Sequence, residues 1–177
     1  MTMASWRDYL ELTKPKVVLL LMVTAIASMF LATQPAGMVP INILLLASLG
    51  LAMAMGASAV INHVVDQRID TLMARTQQRP VATGKIKPLY ALVFAAVLTL
   101  LSLWLLDRCI NRLTAVLTFF GVIGYAGIYT FYLKRATPQN IVIGGLAGAI
   151  PPLLGWTAVT GTITPQALLL VLIIFTD

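Results

Sequence analysis

Hydrophobic residues make up 59% of the 177-residue chain and charged residues only 10%, with a mean hydropathy of +0.93, a balance that excludes an ordinary soluble domain. The formal charge of +6 could suggest nucleic acid, but the twelve basic residues fall in short stretches between apolar runs, where they orient a membrane protein, so no nucleic-acid partner is expected. Cys109 stands alone, which rules out an internal disulfide or a thiolate metal cluster and suggests a small packing residue near a helix end.

Residues 1–13 carry Arg7, Asp8 and Glu11 and lack a secretory cleavage pattern, so the first span is expected to stay in the mature protein. Apolar runs at 16–34, 41–61, 88–107, 113–133, 139–160 and 165–176 predict six helices, the last cut short, in one all-α membrane domain. The links 34–40 and 161–165 are uncharged. Arg68, Arg75, Arg79, Lys85 and Lys87 crowd the link between the second and third runs, and Lys134 and Arg135 join the fourth to the fifth. Together with Arg7, Lys14 and Lys16 they place the strongly basic segments on one side, which the positive-inside rule makes cytoplasmic. Asp107, Arg108 and Arg112 dissent by one net positive charge, too little to reverse the topology. In the fifth run Gly144, Gly145 and Gly148 give a small-xxx-small spacing, echoed by Gly121, Gly124 and Gly127 in the fourth. Pro151-Pro152 should break or bend the fifth helix, with a cavity wall near Trp156.

The most informative residues follow the second run. Asn62, Asp66 and Asp70 are four apart, so on a helix each steps about 6 Å along the axis and about 40° around it, and all three share a face. Magnesium prefers one or two carboxylates completed by phosphate oxygens and water, and this face supplies such a partial shell. Arg75 and Arg79, with Lys85, would neutralise diphosphate oxygens left over by the metal, and Lys134-Arg135 could close from the opposite side. The competing reading makes Asp66 and Asp70 ordinary acids paired with Arg68 and Arg75. The scarcity of acids, six in the chain, favours the metal. His63, the sole histidine, lies about 100° from Asn62 and reads as a packing residue before a ligand.

Asn62-xxx-Asp66-xxx-Asp70-xx-Met73-x-Arg75-Thr76-xx-Arg79-Pro80 resembles the first aspartate-rich motif of the UbiA superfamily of intramembrane prenyltransferases. The segments Glu11 to Val17 and Tyr129 to Trp156 are similar to its protohaem IX farnesyltransferase (haem O synthase) branch, and the resemblance runs from about residue 8 to residue 174. It implies a polytopic bundle of nine membrane helices, of which the first five to six are present. The implied substrates are farnesyl diphosphate and haem b, the cofactor Mg2+ and the product haem O. Asn62, Asp66 and Asp70 would hold metal, and Arg75, Arg79, Lys134 and Arg135 would bind diphosphate. The catalytic role would rest with Asp66, Asp70, Lys134 and Arg135. It further suggests a bacterial inner membrane, and association with haem A synthase or with oxidase assembly.

The family carries a second aspartate-rich motif after its sixth helix, and this sequence stops at Phe175-Thr176-Asp177, where that motif would begin. The expectation is therefore a prenyltransferase domain over 1–177 that is incomplete at its C-terminus. Two rivals stand beside it: prenylation of an aromatic acid on a quinone pathway, and an inactive membrane fragment or assembly partner.

Overall fold

A computed structural model describes residues 4–33, 37–74, 76–126 and 140–176, with backbone only over 140–147. The described residues form seven helices. Helix α1 spans Trp6–Leu12, α2 Pro15–Ala32, α3 Ile41–Asp70, α4 Pro88–Cys109, α5 Arg112–Val122, α6 Asn140–Thr160 and α7 Pro165–Thr176. Among the described residues α2, α3 and α4 are long and apolar enough to cross a membrane. With Leu19, Leu20, Leu100 and Trp104 turned outward, this is a multi-pass membrane protein whose outer surface faces lipid.

Sequence had given α1 no place. It begins where the Ser5 backbone N–H and hydroxyl both donate to the Asp8 carboxylate, at 2.7 and 3.0 Å, and it lays Leu12 into the core while Trp6 stays exposed. Lys14 then takes a left-handed conformation, with φ of 50°, and Pro15 opens α2 with its preset φ. That tight corner presses on α3 at Gly56, where a Cβ would stand 3.2 Å from Thr13 Cβ.

The second apolar run ends at residue 61, but its helix continues to Asp70. At ~1.5 Å per residue the 30 residues of α3 reach about 45 Å, beyond a ~30 Å hydrocarbon core. Its buried stripe passes without a break from Ala47, Leu51, Ala54 and Ser58 into Asn62, Asp66 and Asp70. No proline interrupts the chain before Pro80, and packing carries the helix past the end of its hydrophobicity. Ser102 of α4 donates to the Gly50 carbonyl at 2.6 Å, and α4 lies along α3.

The fourth run was predicted to 133. Its regular helix, α5, closes at Val122 and passes into a wider π-type turn over 123–126; residues 127–133 lie outside the described part. Of the break or bend expected at Pro151-Pro152 there is no break: α6 runs through both prolines as one helix. Ser28 of α2 donates to the Pro152 carbonyl at 2.6 Å. One turn on, Gly155 lets the two helices touch: a Cβ there would strike the Ala25 carbonyl. One apolar cluster joins α2, α3, α5 and α6 through Met22, Met29, Leu51, Ala115 and Leu154. Another joins Leu12 of α1 to Val60 of α3, to Val81 and Ile86 of the following loop, and to Ala91 of α4. Cys109, expected to be packed, is exposed at the end of α4, where Leu106 and Ile110 turn to the apolar cluster instead.

Candidate metal centre

The C-terminal end of α3 places Asn62, Asp66 and Asp70 on its buried face, each only 4% exposed. Arg68, offered by the competing reading as an ion-pair partner, is on the exposed side. The loop after α3 folds back instead, and Arg79 Nη1 donates to both oxygens of Asp70 at 2.9 and 2.8 Å. This return is built from local bonds: Thr76 Oγ1 donates to the Asp70 carbonyl at 3.2 Å, and Gln67 Nε2 to the Val81 carbonyl at 3.2 Å. Buried Pro80, Val81 and Ile86 then seat the loop against α3 and α4.

At the other end of the acid row, Lys14 Nζ donates to Asn62 Oδ1 at 2.7 Å. Sequence reading had treated Lys14 as a topology marker. Its only signal was its place in the Glu11-to-Val17 segment, because spacing cannot reveal a contact between residues 48 apart in the chain. Lys85, considered earlier for phosphate, approaches Asp8 at 3.7 Å and joins the loop to α1. Arg75, Lys134 and Arg135, all assigned to diphosphate by resemblance, lie outside the described residues.

Lys14 also stands on the wall of a cavity of about 410 Å3, within the ~300–1,000 Å3 span of small-molecule sites. Val18, Leu21, Leu51 and Leu154 make most of it apolar, and Ser58, one turn from Asn62, links it to the acid row. Gly148, Pro151 and Leu154 contribute the α6 wall, which ends just short of Trp156, the residue near which sequence had looked for it and which does not itself line the cavity. His63 is 3% exposed and off the acid row, and among the described residues neither ring nitrogen has a hydrogen-bond partner.

Among the described residues no three carboxylate, imidazole or thiol groups converge into an all-protein cage. Two carboxylates and an amide oxygen on one face fit a different design, a hard divalent ion whose remaining ligands are substrate oxygens and water. The pairing of Asp70 with Arg79 and of Asn62 with Lys14 shows that these oxygens face positive charge.

The UbiA prenyltransferase family model matches residues 21–176. Protoheme IX farnesyltransferase of Alcanivorax borkumensis is 64% identical over 170 residues, which cover 96% of this chain and 56% of that protein. The protein of that name from Marinobacter nauticus is 63% identical over 171 residues, covering 97% and 56%. The chain thus spans just over half the length of the curated relatives it matches. Among solved structures, digeranylgeranylglyceryl phosphate synthase superposes with a TM-score of 0.82 at 24% identity, covering 96% of this chain and 58% of the other. A UbiA homolog from Archaeoglobus fulgidus bound to DMAPP and Mg2+ gives 0.75 at 20% identity, covering 96% and 60%. At such identities these two likenesses bear on the fold.

Proposed function

The chain belongs to the UbiA prenyltransferase family, and from that premise we propose that it forms the diphosphate-binding part of an enzyme that moves a farnesyl group from farnesyl diphosphate to the vinyl group of haem b, with diphosphate leaving and water then adding to the former vinyl carbon as a hydroxyl, giving haem O. The observation that carries this reading is the buried Asn62–Asp66–Asp70 row, met by Arg79 and Lys14 beside an apolar cavity. The names of the relatives at 63–64% identity support haem as the acceptor.

Asn62, Asp66 and Asp70 would hold Mg2+, which when bound draws electron density from the departing diphosphate. Arg79 and Lys14 supply positive charge at the same place, aimed where negative charge grows as the allylic carbon–oxygen bond breaks. Arg75, Lys134 and Arg135 are proposed to share that task. Leu21, Leu51 and Leu154 line the cavity with groups that offer an allylic cation no nucleophile and leave water little to bind.

The basic segments and the acid row are proposed to face the cytoplasm from a bacterial inner membrane. Because the product is too apolar to leave the bilayer freely, hand-over to haem A synthase or to oxidase assembly belongs to the same proposal. Deleting the gene for this chain and extracting haems from the membranes tests it. Loss of haem O with quinones unchanged is expected; unchanged haem O with altered quinone would move the acceptor to an aromatic acid.

A further inference from the structure

Two cations of the chain itself already rest on the oxygens that a divalent ion would use. One guanidinium nitrogen of Arg79 spans both carboxylate oxygens of Asp70, and Lys14 Nζ meets Oδ1 of Asn62, the only atom of that side chain able to ligate a cation. Neither contact is a loose surface encounter. The Asp70 side chain is 6% exposed, Asn62 is 4% exposed, and Lys14 is fixed by a left-handed backbone between Thr13 and Pro15, the one non-glycine residue with positive φ among the described residues.

Charge balance then limits what can enter. Among the described residues of the row and its partners, Asp66 and Asp70 carry two negative charges, and Lys14 and Arg79 two positive ones. A divalent ion arriving alone would add positive charge beside two cations in a poorly solvated pocket; a diphosphate arriving alone would add negative charge beside two carboxylates. Arriving together, each relieves the other. We propose that Lys14 and Arg79 are exchangeable counter-ions of the acid row, which phosphate oxygens draw away as a divalent ion takes the oxygens they release, so that metal and diphosphate bind as a pair. This rests on the metal-site reading above and adds to it an order of events and a role for Lys14.

Linkage makes the effect reciprocal: each ligand strengthens the binding of the other, commonly by about 5–150-fold. Removing one resident cation should also let metal bind unaided. The test is a titration of the purified chain with Mn2+, read as loss of the free-ion electron paramagnetic resonance signal. It is run with and without inorganic pyrophosphate, against a protein-free titration that accounts for the Mn2+–pyrophosphate complex. Wild type should bind Mn2+ weakly alone and at least ~5-fold more tightly with pyrophosphate. Arg79→Gln and Lys14→Met should bind Mn2+ alone at least ~5-fold more tightly than wild type and lose most of the gain from pyrophosphate. Arg79→Lys, which keeps the charge, should behave like wild type for metal alone, separating counter-charge from lost packing; it also reports should Arg79→Gln fail to fold.

If Arg79→Gln and Lys14→Met bind Mn2+ alone no better than wild type, while wild type binds it with pyrophosphate and Asp66→Asn and Asp70→Asn do not, the exchange is refuted and the metal site stands. If Mn2+ binding is undiminished in both Asp variants, or absent from wild type with pyrophosphate, the metal-site reading fails and the exchange with it.

Discussion

Two buried polar clusters lie at opposite ends of the helices, and they are built on different principles. At the end where α4 meets α5, Asn111 Oδ1 accepts the Thr114 N–H at 2.8 Å, Asn111 Nδ2 donates to the Thr157 carbonyl at 2.8 Å, and the hydroxyls of Thr114 and Thr157 meet at 3.1 Å. Every group is neutral, and each bond closes within the protein. At the end of α3, two carboxylates, an amide, a guanidinium and an ammonium meet in a similarly buried setting. Neutral donors and acceptors can satisfy one another once and for all, and the first cluster joins α5 to α6 in this way. Buried charges are costly to keep, and their partners can be exchanged for others of the same sign. On the function proposed above, the first cluster is architecture and the second carries the chemistry.

Substitutions should separate the two ends by what they change. The largest effect belongs to the charged one: Asp66→Asn or Asp70→Asn should cost prenyl transfer more than the ~10–100-fold typical of groups behind a metal ligand, while membrane insertion persists. A haem O assay on membranes with matched protein levels checks this, and near-normal turnover in both variants would place the charged cluster with the architecture.

Next comes a purely structural position. Gly155→Ala puts a methyl group against the Ala25 carbonyl, a backbone atom that cannot swing away, and should destabilise the fold toward the upper end of the ~1–3 kcal/mol seen for overpacking. Unfolding in a detergent titration measures it. Asn111→Ala removes a helix cap and two donations to α6 carbonyls, with an expected loss of about 0.5–2 kcal/mol and unchanged activity per folded molecule. Lost metal binding in this variant would erase the distinction between the two ends.

The smallest effect concerns α1. The Ser5 backbone N–H holds the Asp8 carboxyl below its ordinary 3.8, with Lys85 adding to the same shift. Because the folded-state value is depressed, the contribution is complete above pH ~3.8 and fades as pH falls through the lower, folded value. Asp8→Asn should therefore speed hydrogen exchange in α1 at neutral pH, and the difference from wild type should shrink on acidification below that range.

How far residues could be read in advance followed the range of the interaction. The acid row was legible because a four-residue step on a helix is local geometry, and six acids in such an apolar chain leave few accidents to explain it. Arg79 could be read as a cation near that row, though not that it would fold back onto Asp70. Lys14 stayed hidden: its partner is 48 residues away, and a lysine before a helix looks the same whether it marks topology or enters a site. Glycines told a similar story. Gly144 and Gly148 stand four apart in the sequence, yet among the described glycines the tightest contact is at Gly155 and Gly148 has open space beside it, since spacing marks a thin face without saying which neighbour presses on it. Pro151 and Pro152 announced a break or a bend without saying which, and a helix wedged between a cavity and Ser28 need not break where it lacks two donors.

Crystals grown with Mn2+ and a non-reactive analogue of farnesyl diphosphate would put the charged cluster to its most direct trial through anomalous scattering. The account predicts a manganese peak within coordination distance of both Asp66 and Asp70, shared with phosphate oxygens, and Arg79 turned from Asp70 toward the diphosphate. A peak elsewhere, with Asp70 still clasped by Arg79, would contradict it.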